Sequence, residues 1–434
     1  MKWSRFNVYF KSGDGNYLLY NSGTNTFALL YGEANEIIEE IIKNPDMDCS
    51  GFPDFYLRLR FGGFLVENDG DDKLVRIIKM KRLASNYRGD KLMLTIAPNT
   101  DCNFSCEYCY GQSRKPSYMT NETCEKLIDF ILCNKKLSEL DITWYGGEPL
   151  LTYETIVRMS KKIKAIDKGF QAQLITNGYL LNKEFADALD EMNITKVQIT
   201  LDGQENVHNK RRPLKTGRGT FDRIIENIDG LMISGWRGIL HIRTNVDGRN
   251  YKDYAGLHDF IKTRYPEDFG RRIKLYPGFV DSHGGGASGF MFNEDDKSGF
   301  LIGLSKKHGI KPLPIFPRPV FDGCTLTKQN AYVIGPRGEL YKCWRDLGKS
   351  EEEVGNIDGM GSLDMLKISE GMVGSSYLHD TSCENCTFFP ICDGGCHKIR
   401  VCNIRDKGNR NTCAYFKYRT KELLELHYQG QLLN

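Results

Sequence analysis

The sequence predicts an α/β fold: a partial barrel of six β-α units, preceded by a small α/β module and followed by a cysteine-rich segment. Three observations predict it. Between residues 92 and 279, β-rich runs alternate with amphipathic helical stretches. Before residue 88 the runs are shorter and turn-separated, and after about residue 315 the alternation gives way to a Gly- and Cys-rich stretch. The expected domains are therefore 1–88, 89–315 and 316–434.

In the first domain "FNVYF", "YLLYN" and "TFALL" read as strands separated by Gly/Asn/Ser turns. "GEANEIIEEIIKN" then places Ile37, Ile38, Ile41 and Ile42 on one helical face. "FYLRLRFGGFLVEN" completes the module, which looks separable, and the charged "KRLASNYRGDK" (81–91) reads as a connector. The barrel strands are LMLTI (92–96), DITWY (141–145), AQLIT (172–176), VQITL (197–201), LHIRT (240–244) and IKLYPGF (273–279). Helical segments such as "NETCEKLIDFILCN", "YETIVRMSKKIKAI" and "TFDRIIENIDGLMIS" lie between them. Consecutive right-handed units around a parallel sheet follow, in the TIM-type arrangement with functional loops at the C-terminal ends of the strands. "HGGGASG" (283–289) is a mobile-loop candidate, and "YFKYRTKELLELHY" closes the chain as a helix.

Composition excludes several classes. With 434 residues, 40% hydrophobic content and a net charge of +3, nothing calls for a nucleic-acid or membrane partner. "MKWSRFNVYFKSGDG" lacks an apolar signal core, and no apolar run approaches the roughly 18 residues of a membrane span, so a cytoplasmic protein is expected. Fourteen cysteines then need an explanation other than disulfides. Cys49, Cys124 and Cys133 stand alone and read as plain buried or half-buried thiols. The others cluster, which points to metal.

Cys102, Cys106 and Cys109 form C-x3-C-x2-C directly after the first barrel strand. Three thiolates on one loop suit zinc with a distant fourth ligand, or three corners of a cubane iron–sulfur cluster whose last iron stays open, as catalytic metal sites do. "WYGGEP" (144–149) closes the second strand with two glycines and a carboxylate. In the C-terminal segment Cys383, Cys386, Cys392 and Cys396 give C-x2-C-x5-C-x3-C, with Cys413 beyond them. Cys324 and Cys343 come before, Gly338 standing four intervening residues ahead of Cys343. Spacing alone also suits a pair of zinc ribbons.

"CNFSCEYC" followed by "GGEP", "LITNGYLL", "VQITLDGQENVHNKRRP" and "IRTNVD" resembles the radical S-adenosylmethionine (radical SAM) enzymes over residues 90–280. The resemblance implies that Cys102, Cys106 and Cys109 ligate three irons and that SAM chelates the fourth through its amino and carboxylate groups. It assigns Gly146, Gly147 and Glu148 to the element receiving the SAM amine, with Glu148 as its charge partner. Tyr108 takes the adenine-side position, Thr200 and Arg212 reach SAM and its carboxylate, and Asn177 lies on the ribose side. A 5′-deoxyadenosyl radical abstracting hydrogen from substrate is the implied chemistry.

The C-terminal set resembles the SPASM extension with two auxiliary [4Fe–4S] clusters, giving three clusters in all. The resemblance assigns Cys383, Cys386, Cys392 and Cys413 to one, and Cys324, Cys343 and Cys396 to the other. Relatives often carry a fourth ligand between the first two positions; here there is none, so either Cys402 completes the site or one iron stays free for a substrate thiolate. The N-terminal module resembles winged-helix-like (RRE/PqqD-like) domains that capture a precursor peptide's leader by strand addition.

Together these imply a maturase of ribosomally made peptides that installs a crosslink, a Cys thioether in preference to a carbon–carbon bond, fed by a donor such as flavodoxin or ferredoxin. The rival is an anaerobic sulfatase-maturating, formylglycine-forming enzyme, in which an aspartate follows the position of Cys343; here Trp344 follows and Asp346 comes two later. A non-catalytic electron carrier or peptide-binding scaffold is the alternative of another class.

Overall fold

The strands of the central region form where apolar residues alternate, and the alternation shows which face is covered. The structure is a computed structural model that describes residues 1–47, 50–134, 136–166, 169–280, 290–311, 321, 323–359 and 362–432. "HGGGASG" and Cys49 lie outside the described residues. Packing divides the chain into two compact units: Arg88–Asn293 with Lys328–Gly371, and Met1–Tyr87 with Glu294–Thr327 and Met372–Asn434.

Chain order first gives β1 (Lys2–Trp3), β2 (Asn7–Lys11), β3 (Tyr17–Asn21), β4 (Thr26–Leu30), α1 (Glu33–Lys43), α2 (Pro53–Phe61), β5 (Leu65–Val66) and α3 (Gly70–Asn86). The barrel region follows as β6 (Lys91–Ile96), α4 (Asn121–Leu132), β7 (Glu139–Trp144), α5 (Tyr153–Lys164), β8 (Gly169–Thr176), α6 (Lys183–Ala188) and β9 (Ile194–Thr200). It continues with α7 (Glu205–Arg211), α8 (Phe221–Ile233), β10 (Ile239–Val246), α9 (Tyr254–Arg264) and β11 (Ile273–Phe279).

All six expected barrel strands are present. β6 to β11 pair in sequence order, each parallel to the next, as right-handed β-α units require. On β10, Leu240, Ile242, Thr244 and Val246 are buried while His241, Arg243 and Asn245 are half-exposed; β7 alternates in the same way. The buried face packs under helices, α8 contributing Phe221, Ile224, Ile225, Ile228 and Leu231, each worth on the order of 2 kcal/mol when removed from water. The other face is polar and internally bonded: Gln173 donates to Thr143 at 2.8 Å, and the Tyr276 hydroxyl to Gln198 at 2.6 Å. A closed TIM barrel fills this space with branched apolar side chains. This one keeps a polar interior.

The sheet does not end at β6. β12 (Ala331–Ile334) pairs parallel to it, followed by antiparallel β13 (Glu339–Tyr341) and β14 (Gly355–Asn356), so "AYVIGPRGELY" continues the sheet where periodicity was expected to stop. The hairpin turn closes through Gly338 at φ 84°, a left-handed conformation that favours glycine. A Cβ there would lie 2.7 Å from Ile357. This turn aims the strand that leads to Cys343.

In the other unit, β2, β3 and β4 form an antiparallel sheet in that order. Successive side chains take opposite faces. Leu19 packs with Leu30, Ile38, Ile41 and Leu59, whereas Leu18 and Tyr20 pack with Phe388, Ile391, Phe416, Leu423 and Leu424. The module therefore shares a core with the C-terminal segment, contrary to the expectation that it is separable. Ile42 is exposed, off the face that buries Ile38 and Ile41. The expected connector 81–91 is largely the end of α3, because Arg82 is buried and bonds the carbonyls of Pro390 and Cys392. The closing elements are α10 (Glu294–His308), α11 (Met365–Ser369, in the barrel unit), α12 (Thr381–Glu384), α13 (His397–Arg405) and α14 (Thr420–Leu432). Among the described residues no helix is long and apolar enough to cross a membrane.

The strained turn gives a direct check: Gly338→Ala should cost about 1–3 kcal/mol, read as a lower urea midpoint at unchanged slope. An unchanged midpoint would mean that the hairpin relaxes freely.

Candidate active site

The cysteine loop leaves β6 at the C-terminal edge of the sheet, and its shape is set by Asp101. The Asp101 carboxylate accepts from the Cys102 amide at 2.8 Å, the Tyr118 hydroxyl at 2.6 Å and Lys215 Nζ at 2.7 Å. Phe104 N donates to Cys102 Sγ at 3.4 Å and Gly111 N to Cys109 Sγ at 3.3 Å. Cys106 is buried, Cys102 half-buried and Cys109 exposed. Burial pushes the Cys102 thiol up to about 12, with the nearby Glu148 charge adding to it, and burial also raises Cys106 against the opposing pull of Arg212. Thiols so placed ionise only when a cationic centre joins them. Three of them on one loop, two already receiving N–H donors, fit three corners of an iron–sulfur cubane.

The GGE turn meets this loop backbone to backbone. Gly147 N donates to Asn99 O at 3.2 Å and Glu148 N to Asp101 O at 2.7 Å. A Cβ on Gly147 would sit 1.9 Å from Asp101 O, and one on Gly146 2.3 Å from Asn99 O. The two glycines are thus required by the approach of the cysteine loop itself. The Glu148 side chain is fully buried and accepts from Leu150 N at 3.0 Å, Thr176 Oγ1 at 2.7 Å and Asn177 N at 2.7 Å. Its carboxylate joins the ends of β7 and β8.

Asn177 turns its amide onto Asn103 Oδ1 at 2.7 Å, with Cys102 Sγ 4.0 Å away. Arg212 comes to the loop because Ser105 N bonds Pro213 O at 2.9 Å and Lys215 N bonds Asn103 O at 2.9 Å. Its Nη1 donates to the Tyr108 hydroxyl at 2.6 Å, its guanidinium lies 5.5 Å from the Phe104 ring, and its Nε is buried without a protein partner. Asn245 also donates to Tyr108, at 3.0 Å. Behind them Arg211 forms a buried ion-pair network with Asp202 at 3.3 Å and Asp247 at 3.1 Å, and stacks 5.1 Å from the Tyr108 ring. Sequence reading missed this network; the signal was "RR" after "LDG", with a second Asp one strand later.

Tyr108 and Thr200 line a cavity of about 400 Å³, with Gln173, Gln198, Arg243 and Asn245 as its floor. Tyr110, Tyr145 and Trp344 form its aromatic wall. The Tyr145 ring lies 5.1 Å from Trp344, and its hydroxyl bonds that of Tyr110. Arg114 Nη2 donates to Trp344 O at 3.3 Å, fixing the turn after Cys343 beside the cysteine loop. Asp346 is buried.

The loop, the glycine turn and the arginine meet at the C-terminal ends of parallel strands, and residues 96–261 match the family model described as the radical SAM superfamily. The chain carries a radical SAM domain. It is an enzyme, and the domain implies a [4Fe–4S] cluster and SAM. Among its relatives is the serine-type anaerobic sulfatase-maturating enzyme of Bacteroides thetaiotaomicron, 24% identical over 363 residues, or 73% of this chain and 86% of that protein. The radical SAM cyclopropyl synthase TigE of Paramaledivibacter caminithermalis is 24% identical over 406 residues, 84% of this chain and 80% of its own length. In fold, the radical SAM chain resembles native anSMEcpe with bound AdoMet and Cp18Cys peptide, TM-score 0.58 at 21% identity, covering 78% of this chain and 99% of that one. It also resembles Streptococcus suis SuiB bound to precursor peptide SuiA, TM-score 0.53 at 15% identity, covering 94% and 97%.

The remaining cysteines separate into two groups. Cys383, Cys386, Cys392 and Cys413 line one cavity of about 90 Å³. Gly394 and Gly395, at φ 73° and 74°, make this possible: a Cβ on Gly395 would meet Thr412 O at 1.8 Å, so the chain carrying Cys413 could not come this close. Among the described residues no three of His, Cys, Asp and Glu close on a single-ion position; these thiols ring a space instead. Cys324, Cys396 and Cys402 belong to the same unit and Cys343 to the barrel unit. Cys124 is buried and Cys133 exposed.

Three donors converge on Glu148, so Glu148→Gln should place an amide N–H against a donor. The expected cost is about 1–3 kcal/mol, measured by thermal unfolding of the reconstituted protein; an unchanged midpoint would show that this carboxylate does not tie the strands.

Proposed function

We propose that this radical SAM enzyme is a maturase of ribosomally made precursor peptides that installs an intramolecular crosslink, in preference a Cys thioether. The carrying observation is the cavity beside the cysteine loop, polar-floored and walled by Tyr110, Tyr145 and Trp344. When bound, the cluster and SAM supply a 5′-deoxyadenosyl radical for hydrogen abstraction. The chain's own residues supply the rest. Cys102, Cys106 and Cys109 hold the cluster, while Gly146, Gly147, Glu148, Asn177, Thr200, Tyr108 and Arg212 form the SAM side of the site. The Tyr145–Trp344 wall screens it from water. Cys383, Cys386, Cys392 and Cys413 hold one auxiliary cluster. Cys324, Cys343 and Cys396 hold a second with one iron open to a substrate thiolate, Cys402 being the alternative fourth ligand.

The edge strands β2 and β4 are the places where a leader would add to the N-terminal sheet. The fold likeness to peptide-bound SuiB supports this reading, since it extends over 94% of the chain against 78% for anSMEcpe. A flavodoxin or ferredoxin is the proposed electron donor. A second reading, formylglycine formation, is supported by the sulfatase-maturating relatives. Against it, the residue after Cys343 is Trp344, packed on Tyr145, and Asp346 is buried.

Anaerobic reconstitution should give about twelve irons per chain, four for each of three cubanes, and dithionite with SAM should release 5′-deoxyadenosine. Replacing Cys102, Cys106 and Cys109 together by Ala should abolish that release and leave about eight irons; continued release would refute the site. Coexpression with a short Cys-containing reading frame, where one is found beside this gene, should yield a peptide lighter by two hydrogens per crosslink. Conversion of a sulfatase-derived Cys or Ser peptide to its aldehyde instead would establish the second reading.

A further inference from the structure

The reading that Cys383, Cys386, Cys392 and Cys413 hold an iron–sulfur cluster is the basis of a further one, because two cations bond thiols of this set and a third bonds the backbone of Cys392. Arg82 is the most telling. Its side chain is 3% exposed, Nη2 donates to Cys392 O at 2.8 Å and Pro390 O at 3.3 Å, and the guanidinium stacks 5.1 Å from Tyr377 and 5.3 Å from Phe389. Nε and Nη1 are buried without a partner, and among the described residues no carboxylate pairs with this charge. A buried, uncompensated guanidinium is costly unless an anion lies close by.

Arg400 Nη2 donates to Cys383 Sγ at 3.0 Å, held in place by Gly394 O at 2.8 Å and Asp380 at 3.2 Å. Asp380 itself lies 3.5 Å from Cys383 Sγ, so the Arg400 charge is matched. On the opposite side, Lys417 Nζ is 3.7 Å from Cys413 Sγ and pairs with no carboxylate among the described residues. A cubane with four thiolates is a dianion in its oxidised form. It supplies the anion that Arg82 and Lys417 lack.

We propose that Arg82, Arg400 and Lys417 set the reduction potential of this cluster, raising it above the value the four thiolates alone would give. Reduction adds one electron, breaks no bond and takes the dianion to a trianion, which nearby cations and N–H donors to sulfur favour.

The test is a redox titration of the reconstituted full-length chain, followed by electron paramagnetic resonance in the Cys102→Ala/Cys106→Ala/Cys109→Ala background. Arg400→Gln should shift one midpoint downward by about 59 mV, a tenfold change in the one-electron equilibrium. Lys417→Met, at an exposed position where folding is not at stake, should shift the same midpoint downward by less, and Lys417→Arg should restore it. Midpoints unchanged in both variants at full iron content would overturn the proposal. If instead Cys386→Ser/Cys413→Ser leaves the iron content unchanged, the four-thiol reading fails and the proposal with it.

Discussion

The site depends on one backbone contact: Gly147 and Glu148 bonded through their amides to the carbonyls of Asn99 and Asp101. It joins the loop after β6 to the turn after β7 at a separation that no side chain at position 147 would allow. Glu148 then carries the connection to β8 through Thr176 and Asn177, and Asn177 returns it to the cysteine loop through Asn103. Three strand ends are thereby fixed to one another before any metal enters. A loop that had to be ordered at the moment of ligation would spend binding free energy on its own conformation; this one has that ordering built into the fold.

Around that contact the charges are arranged in depth. Arg211 is buried with two aspartates, which makes it a rigid support for the ring of Tyr108. Arg212, one residue on, has spare donor capacity on the same side as the thiols. Adjacent arginines therefore do different work: one satisfied and structural, one available. Removing both acids of the Arg211 network would leave a buried, unpaired cation, whose cost outweighs what the pairs contribute when intact.

Much of this was legible in the sequence, and the rest was hidden for identifiable reasons. The six barrel strands are readable because one face of each is largely apolar, and the thiol loop is readable because its spacing is chemical. β12 and β13 were missed although "AYVI" and "ELY" flank a glycine turn; both are too short for periodicity to register and take their meaning from pairing with β6. The backbone approach of the cysteine loop to Gly146 and Gly147, and the bonds from Glu148 to the end of β8, were not legible, since a sequence does not show which neighbouring loop a small residue or a carboxylate meets. The position of Arg82 was hidden for a similar reason: a basic residue in a charged run reads as solvated until the Pro390–Cys392 carbonyls are found beside it.

The sheet formed by β2, β3 and β4 has a consequence for how the chain is made. One of its faces is completed only by residues near the other end of the sequence, Phe416, Leu423 and Leu424 among them. During synthesis the first strands emerge about four hundred residues before those partners exist, so Phe10, Leu18 and Tyr20 stay uncovered until Leu424 has been made. The unit can close only late, after a long loop has been paid for in chain entropy. Truncation before residue 416 would thus leave this sheet with half a core, and α14 is as much a part of the N-terminal module as its own strands are.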